Sequence, residues 1–415
     1  MGSRATTVNR HGVGFWLIAF AFVTAMAFST VPTPLYPLYQ LHDGFSTFTV
    51  TVVFAAYAVG VITSLFLAGH VSDWVGRKRV MLAALALELV AAAIFLTQPP
   101  LAALIVARIV TGLGVGMLTA TATAHLQELH RTHRPHAGPQ RFETVSTAAN
   151  IGGLGLGTLF GGLLAQYAPA PLRLPYLVFA ALLVLAIIAV LATPETVVTQ
   201  PVRPTYRPQR IRVDRRNATE YAAAGGAAFT SFAVFGLFTS LAPGFVAGAL
   251  HHPSRALAGL LVFAVFASAA LTQTLTNRLD VGRRGWLGLV LQIVGLVLLV
   301  VGMQTTDLTA FVAGGVVVGA GAGVLFKTSV GEVAALANPE TRGETLAGLF
   351  LIAYLGLVVP AIGIGVVTRF VNAVTAVTWF AAVVLALLVG VAALTRQTHQ
   401  HRILPARSSR RSRAA

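Results

Sequence analysis

Two charged residues, Glu88 and Arg108, lie inside long apolar runs of the sequence. A lone charge at the centre of a lipid bilayer costs about 2.5–3.5 kcal/mol on insertion scales, so a charge kept there is expected to have a function. The two runs flank Gln98-Pro99-Pro100, which predicts a tight turn between antiparallel helices. Since a helix rises about 1.5 Å per residue, both charges are expected at similar depth. We therefore predict that they pair, either as a proton-coupling carboxylate held by a fixed cation or as a purely structural ion pair.

A third intramembrane charge is Lys327, which lies five residues before Glu332 in a later apolar run. Five residues correspond to about 140° around a helix, so the two side chains cannot share one face well. Lys327 has two interpretations. It extends to the membrane surface, or it faces the protein interior and binds an anionic group or a carboxylate.

Candidate contacts for a bound molecule are polar or aromatic. The first apolar run ends in a proline-rich segment that contains Tyr36, and the carbonyls that prolines leave free are tolerated only against protein or a water-filled cavity. Alternatively, the prolines simply end the helix at the outer membrane surface. Phe232 and Phe235 belong to a stripe of phenylalanines at three-residue spacing, which indicates either packing or the wall of an apolar pocket. Gln273 is a further polar candidate. The predicted substrate pathway consists of Tyr36, Asn150, Phe232, Phe235, Lys327 and Tyr354.

Four histidines, at positions 125, 130, 133 and 136, resemble metal ligands at first sight. Neighbouring arginines disfavour a bound cation, and no carboxylate–histidine motif of zinc spacing is present. The chain has no cysteine, which excludes disulfides and thiolate ligands. We expect no metal and no other cofactor, and we interpret this stretch as a solvated loop.

The composition indicates a membrane protein. Only 10% of the 415 residues are charged and 56% are hydrophobic, whereas soluble proteins have about 25% charged residues. Apolar runs long enough to cross a bilayer recur twelve times. The predicted spans are 14–36, 48–68, 80–97, 101–127, 145–167, 174–193, 221–247, 256–277, 285–303, 308–335, 345–368 and 373–395.

Nearly all of the 29 Lys and Arg residues lie in the two tails and in alternate loops between these spans. This asymmetry predicts a multi-pass protein of the plasma or inner membrane with both termini cytoplasmic. The net charge of +16 thus reflects topology, and we expect no nucleic-acid partner. The predicted domains are two six-helix halves, 1–195 and 220–395. They are joined by a cytoplasmic linker, 196–219, and followed by a basic tail, 396–415, that contacts lipid headgroups.

The loop between the second and third spans reads Gly-His-Val-Ser-Asp-Trp-Val-Gly-Arg-Lys-Arg from Gly69 to Arg79. Glycines bound it, an aspartate suits a helix N-terminus, and the basic residues suit an anionic membrane surface. The loop resembles the signature of the major facilitator superfamily. Gly69, Asp73, Gly76, Arg77 and Lys78 match that signature, and Trp74 stands where the family often has Arg.

Two further segments resemble motifs of the same superfamily. Arg108 precedes a glycine-rich stretch, as in the family's fourth helix. Gly153, Gly157 and Gly161 recur at four-residue spacing, which lets another helix approach closely. They resemble the fifth-helix motif found mainly in drug:proton antiporters, although Thr158 stands where that motif has proline.

The second half of the sequence repeats the first. A shift of 207 residues places Asp73 on Asp280 and Gly112 on Gly319. Matching shifts in separate segments indicate a duplicated six-helix unit. The predicted fold class is an all-α membrane protein with twelve transmembrane helices in two six-helix pseudo-repeats.

The resemblance implies a secondary transporter whose halves rock about a central site. The gate would be formed by Gly69, Asp73, Gly76, Arg77, Lys78, Gly153, Gly157 and Gly161, with Asp73 at the N-terminus of a helix beginning near Arg342. The expected function is proton-coupled efflux of a hydrophobic or drug-like molecule, with Glu88 and Arg108 in proton coupling. The alternative is proton-linked uptake or facilitated transport of a small, anionic metabolite.

The sequence has no nucleotide-binding motif of the Gly-x-x-x-x-Gly-Lys-Ser/Thr type, so we expect no ATP-driven step. It has no nucleophile–base set, so we expect no enzyme, and no long outer loop of the kind that a receptor would carry. The expected partners are a small-molecule substrate, protons and membrane lipid, and we expect a monomer.

Overall fold

The computed structural model describes residues 2–98, 100–197, 206–338 and 341–411, and in those ranges it is helical without β-strands. Residues 198–205 of the predicted linker and 412–415 of the predicted tail lie outside them. Twelve helices are long and apolar enough to cross a membrane. They are α1 Arg10–Asp43, α2 Thr47–Ala68, α3 Arg77–Leu96, α4 Leu101–His133, α5 Gln140–Tyr167, α6 Leu174–Ala192, α7 Ala218–Ser240, α8 Arg255–Arg278, α9 Val281–Gln304, α10 Leu308–Leu336, α11 Arg342–Val367 and α12 Ala373–Gln397.

The twelve predicted spans are confirmed, and the differences at their ends have local causes. The seventh span was predicted to continue to residue 247, but α7 ends at Ser240 and a short helix, Ala242–Gly248, follows it. Pro243 lies in the first turn of that short helix, where its missing N–H costs nothing. Inside a continuous helix the same proline would clash with the preceding turn.

Polar side chains set several helix starts. Ser46 and Ser254 accept hydrogen bonds from the backbone N–H groups three residues on, at the starts of α2 and α8. Asp280 caps α9 in the same way, and Asp307 caps α10 by accepting from the N–H groups two and three residues on. These caps satisfy donors that would otherwise lie unpaired near the membrane surface.

The twelve helices form two groups of six, α1–α6 and α7–α12, that meet along α2 with α11 and along α5 with α8. These two contacts are equivalent under the duplication, because α2 corresponds to α8 and α5 corresponds to α11. We call the end of the bundle that carries the loop Gly69–Arg79 the basic end.

The glycine stripe of α5 packs within the first half rather than between halves. An added methyl group at Gly157 would lie 1.8 Å from the carbonyl oxygen of Ala27 in α1, and one at Gly161 would lie 3.0 Å from that of Val31. Gly153 faces Met26 of the same helix. The sequence correctly identified a smooth helix face, but that face lies against α1.

The other face of α5 makes the close contact with the second half. A methyl group at Gly259 of α8 would lie 2.3 Å from the carbonyl oxygen of Thr158, and one at Gly162 would lie 2.5 Å from that of Arg255. The Thr158 hydroxyl lies 2.8 Å from the carbonyl oxygen of Gly155 in its own helix and 3.2 Å from that of Gly259, so its single proton is shared between the two acceptors. Thr158, which stands where the antiporter motif has proline, thus contributes a polar contact between the two halves.

The loop between α2 and α3 is organised by Arg77. Its side chain is 10% exposed and donates to Ser72 Oγ at 2.7 Å, to Asp73, and to Glu128 Oε1 at 2.9 Å. Glu128 belongs to α4 and also accepts from Thr196, beyond the end of α6. The cluster therefore connects three parts of the first half, and neither Glu128 nor Glu195 was singled out from the sequence.

Glu195 closes the same cluster by capping α3. Its two carboxylate oxygens accept from the backbone N–H groups of Arg77 and Lys78, each at 3.0 Å. Gly76 has φ of +110°, and a methyl group there would lie 2.7 Å from Glu195 Oε2. Glycine is required at this position for backbone conformation and for space.

Asp73 does not contact the N-terminus of α11 in this structure, because the linker lies there. Gln209 N donates to the carbonyl oxygen of Phe66 at 2.9 Å. A methyl group at Gly69 would lie 3.2 Å from Gln209 Oε1, and one at Gly343 would lie 3.1 Å from Gln209 Nε2. The Gln209 side chain therefore separates the loop from α11.

Replacing Gly157 by alanine is expected to destabilise the solubilised protein by about 1–3 kcal/mol, because the added methyl group overlaps the Ala27 carbonyl and forces α1 from α5. Thermal unfolding in detergent measures the effect. Gly390→Ala is the matched control, since a methyl group there meets nothing within 4 Å. Equal melting temperatures for Gly157→Ala and the wild type would contradict the packing described.

Replacing Glu195 by alanine is expected to cost roughly 0.5–2 kcal/mol of stability, because two N–H groups at the start of α3 lose their acceptor. Glu195→Gln keeps one acceptor oxygen and should lose less. The same unfolding measurement orders the variants, and an alanine variant as stable as the glutamine variant would show that the cap contributes nothing.

Candidate functional site

A central cavity of about 820 Å³ lies between the two halves. Its lining comes from α1, α2, α4 and α5 on one side and from α7, α8, α10 and α11 on the other. Pro139, Gln140 and Glu143, at the start of α5, and Arg284, at the start of α9, line it at the basic end. The cavity therefore extends to the basic end of the bundle.

The opposite end is closed by contacts between the halves. Arg255 at the start of α8 donates from its backbone N–H to Gln166 Oε1 at 3.0 Å and from its guanidinium to the carbonyl oxygen of Ala165 at 3.1 Å. On the other side of the bundle, a methyl group at Gly365 of α11 would lie 2.3 Å from Thr51 Oγ1 of α2. The structure is thus open at the basic end and closed at the other.

Five of the six predicted pathway residues line this cavity, namely Asn150, Phe232, Phe235, Lys327 and Tyr354. Tyr36 is not among the lining residues. It is 3% exposed, and its hydroxyl has no hydrogen-bond partner. The neighbouring Tyr39 shares a hydrogen bond of 3.0 Å with Tyr176, so this tyrosine cluster is packed protein at the closed end rather than pathway in this state.

Asn150 lies in a single π-helical turn, Ala148–Gly152, within α5. Such turns occur frequently at functional sites because the extra residue displaces the helix surface. Here the turn follows the short helical segment Gln140–Thr147, which borders the mouth of the cavity. The sequence offers no signal for this turn.

Aromatic rings form the apolar wall of the cavity. The ring of Phe232 lies 4.8 Å from that of Phe326 and 5.4 Å from that of Tyr354, and Phe235 stacks on Phe266 at 5.0 Å. The pocket interpretation of the phenylalanine stripe therefore holds for these two positions. Phe266 and Phe326 were missed, because a phenylalanine in an apolar helix has no sequence feature that separates a cavity wall from a lipid contact.

Lys327 faces the cavity and does not extend to the membrane surface. Its Nζ donates to the carbonyl oxygen of Gln273 at 2.9 Å and to the side-chain oxygen of Asn277, both from α8. Glu143 on the opposite wall is within electrostatic range but does not form an ion pair with it. Lys327 is thus held by α8 at the side of the cavity nearer its mouth.

The predicted pairing of Glu88 with Arg108 is wrong. Both carboxylate oxygens of Glu88 are buried without a hydrogen-bond partner, and its side chain lies against Gly114 of α4. Arg108 instead donates to the carbonyl oxygen of Ser29 at 2.7 Å, and its guanidinium carbon lies 4.7 Å from the centre of the Tyr57 ring.

The reason lies in side-chain direction rather than in depth. Side chains on a helix lean toward its N-terminus. Because α3 and α4 are antiparallel, Glu88 leans toward the basic end and Arg108 leans toward the closed end. Two charges at similar depth therefore point away from each other.

The interpretation of the histidine stretch as a solvated loop is wrong for His125 and His130, because α4 continues to His133 and buries both side chains. His125 Nε2 lies 3.1 Å from the carbonyl oxygen of Pro194, and His130 Nε2 lies 3.2 Å from that of Gly138. Over the ranges that the structure describes, no three histidine, aspartate or glutamate side chains are placed to hold a metal ion.

The first half of the chain matches a family model in sequence, and the whole chain is similar to solved transporter structures in fold. The family model of the Major Facilitator Superfamily matches residues 18–220. No curated protein matches the sequence.

Three solved structures illustrate the likeness of fold. The human organic anion transporter MFSD10 is 16% identical with a TM-score of 0.69, over 92% of this chain and 99% of that one. The nucleoside transporter NupG is 13% identical with a TM-score of 0.69 over the same shares. The peptide transporter POT, in complex with sulfate, is 14% identical with a TM-score of 0.74, over 93% of this chain and 94% of that one.

The structural likeness to these three proteins establishes the fold. Because the sequence identities are low, it does not establish the substrate. The N-terminal half matches the sequence model of the Major Facilitator Superfamily, and the chain as a whole has the twelve-helix fold of that superfamily.

Proposed function

We propose that the protein is a secondary active transporter that works by alternating access and exports hydrophobic small molecules in exchange for protons. The observation that carries this proposal is the central cavity, which lies between two pseudo-equivalent halves, is open at one end and is closed at the other. Its volume of about 820 Å³ fits a small organic molecule. Its aromatic wall favours an apolar one.

The closing contacts support a rocking motion. The α5–α8 and α2–α11 contacts hold the closed end together through small residues, and equivalent helices of the two halves provide them. Closure at the basic end would bring the loop Gly69–Lys78 toward α11, displacing Gln209 and letting Asp73 approach the helix N-terminus. We propose these loop residues as the gate of that end.

Glu88 is the proposed proton-carrying group. It is 0% exposed, and its carboxylate oxygens are unpartnered, so an ionised carboxylate would be costly there. It is not among the lining residues of the cavity, but its side chain lies against Gly114, two residues before Gly116 in the lining. One proton moving down a potential of 100 mV supplies about 2.3 kcal/mol, enough for a roughly 50-fold substrate gradient.

We further propose that the basic end faces the cytoplasm of a plasma or inner membrane, which places both termini inside. The chain would then divide at the linker into halves 1–195 and 220–395. Large apolar side chains exposed on the outer surface, such as Leu185, Ile188 and Leu191 of α6, suit contact with lipid around a monomer.

A second candidate is proton-linked uptake or facilitated transport of a small anionic metabolite. The observation that favours it is that Arg108 and Lys327 both line the cavity, and neither has a carboxylate within 4.0 Å in the described ranges. An anionic substrate would depend on these cations, whereas a neutral drug would not.

Proteoliposomes with an imposed proton gradient test the coupling. Wild-type protein is expected to move hydrophobic dyes against their gradient, and Glu88→Gln is expected to lose this movement because it cannot exchange a proton. Glu220→Gln, in the first turn of α7, is the matched control and should transport normally. Gradient-driven transport that survives in Glu88→Gln would exclude Glu88, and transport of small anions without dyes would favour the second candidate.

Distances between spin labels test alternating access, and the absence of native cysteine makes single pairs easy to introduce. One pair, Thr144→Cys with Val281→Cys, spans the basic end, and another, Leu41→Cys with Phe370→Cys, spans the closed end. Lowering the pH is expected to shift the two distance distributions in opposite directions. Distributions that stay single and unchanged at both ends would contradict the rocking mechanism.

A further inference from the structure

The most deeply placed cation of the cavity is Arg108. It lies seven residues into α4, close to Ser29 at the end of α1, and thus near the closed end. Its side chain is 2% exposed, yet the residue contributes to the cavity lining together with Ser29, Thr30, Thr33 and Asn150. The closed end of the cavity therefore carries polar groups and a cation of its own, separate from the charged residues that line the mouth.

The guanidinium of Arg108 is incompletely satisfied. Of its five N–H groups, one donates to the Ser29 carbonyl, and its buried Nε has no partner. No carboxylate lies within 4.0 Å of it in the ranges that the structure describes, and Glu88 points away. A carbonyl dipole and the Tyr57 ring face stabilise the charge in part, but buried charges are normally paired.

Lys327 differs from Arg108 in this respect. Two of its three N–H groups are already directed to Gln273 and Asn277 of its own half. It is also half-buried rather than fully buried, and it lies nearer the mouth of the cavity, across from Glu143. Of the two lining cations weighed from the sequence, Arg108 is the one with unused donors at the closed end.

Between Arg108 and the mouth, the wall is aromatic, formed by the rings around Phe232, Phe235 and Tyr354. A ligand that satisfies both regions must have one anionic group and an apolar body next to it. We propose that the transported molecule is an apolar organic monoanion whose negative group binds Arg108 and whose apolar part lies against this aromatic wall.

This inference rests on the proposed transport function and narrows its substrate class. It also reassigns Arg108 from proton coupling with Glu88 to binding of the substrate anion. A planar guanidinium suits carboxylate or sulfonate because two parallel N–H groups can bind two oxygens. Proton coupling through Glu88 remains separate from this site.

Binding to detergent-solubilised protein tests the proposal by calorimetry. The probes are aromatic carboxylates of one and two rings, beginning with 2-naphthoate, each compared with its own primary amide and with the matched aminomethyl cation. At least one carboxylate is expected to bind wild-type protein tenfold or more tightly than its amide. The inference would be overturned if no carboxylate in the panel outperforms its amide, or if the cations bind best.

Variants then locate the site. Arg108→Gln is expected to abolish the preference for the carboxylate and Arg108→Lys to retain part of it, whereas the control Glu220→Gln, outside the cavity lining, should leave it unchanged. Loss of the preference in Lys327→Gln but not in Arg108→Gln would move the site to Lys327 and contradict the assignment. Because Arg108→Gln removes a buried contact, its melting temperature is measured alongside, and Arg108→Lys serves if the glutamine variant does not fold.

The outcome is separable from that of the transport proposal. Opposite shifts in the spin-label distances, combined with no preference for anions, would leave alternating access standing and reject the substrate class. A rigid protein that still prefers carboxylates through Arg108 would reject alternating access and retain the anion site.

Discussion

Close approach of helix backbones between the two halves is the constraint on which the cavity depends. Lipid is as apolar as leucine, so helices in a membrane gain little from apolar burial and associate through tight packing and hydrogen bonds. Gly259 against Thr158 and Gly365 against Thr51 provide such contacts at one end only. The halves therefore meet at that end and diverge at the other, and the cavity is the space between them.

Buried charged groups of the first half differ in whether they have a partner. Arg77 donates to Ser72, Asp73 and Glu128, so its charge at the basic end is paired with two carboxylates and a hydroxyl. Arg108 and Glu88 are each left without a counter-ion at the core. The paired Arg77 stabilises the loop at the basic end. The unpaired Glu88 and Arg108 are the groups that we propose bind a proton and a ligand, respectively.

Much of the candidate site was predictable from residue type. Asn150, Lys327 and Tyr354 are polar groups in apolar helices, and the cost of placing them in lipid already indicates that they face the interior. Phe266 and Phe326 were not predictable, since phenylalanine is equally stable against lipid or a cavity. Tyr36 was assigned to the pathway from its prolines, but those prolines also suit the packed closed end.

The sequence by itself determined the twelve helices, their duplication and the loop motif, because length, hydropathy and backbone-specific residues are local properties. Only the tertiary structure decided which charges meet. Glu88 and Arg108 have similar depth by residue count, yet antiparallel helices direct their side chains toward opposite ends. Likewise, the glycine stripe Gly153–Gly161 predicts a close contact with another helix but does not indicate that this helix is α1. Such choices depend on how helices are rotated and paired, which spacing along one chain does not encode.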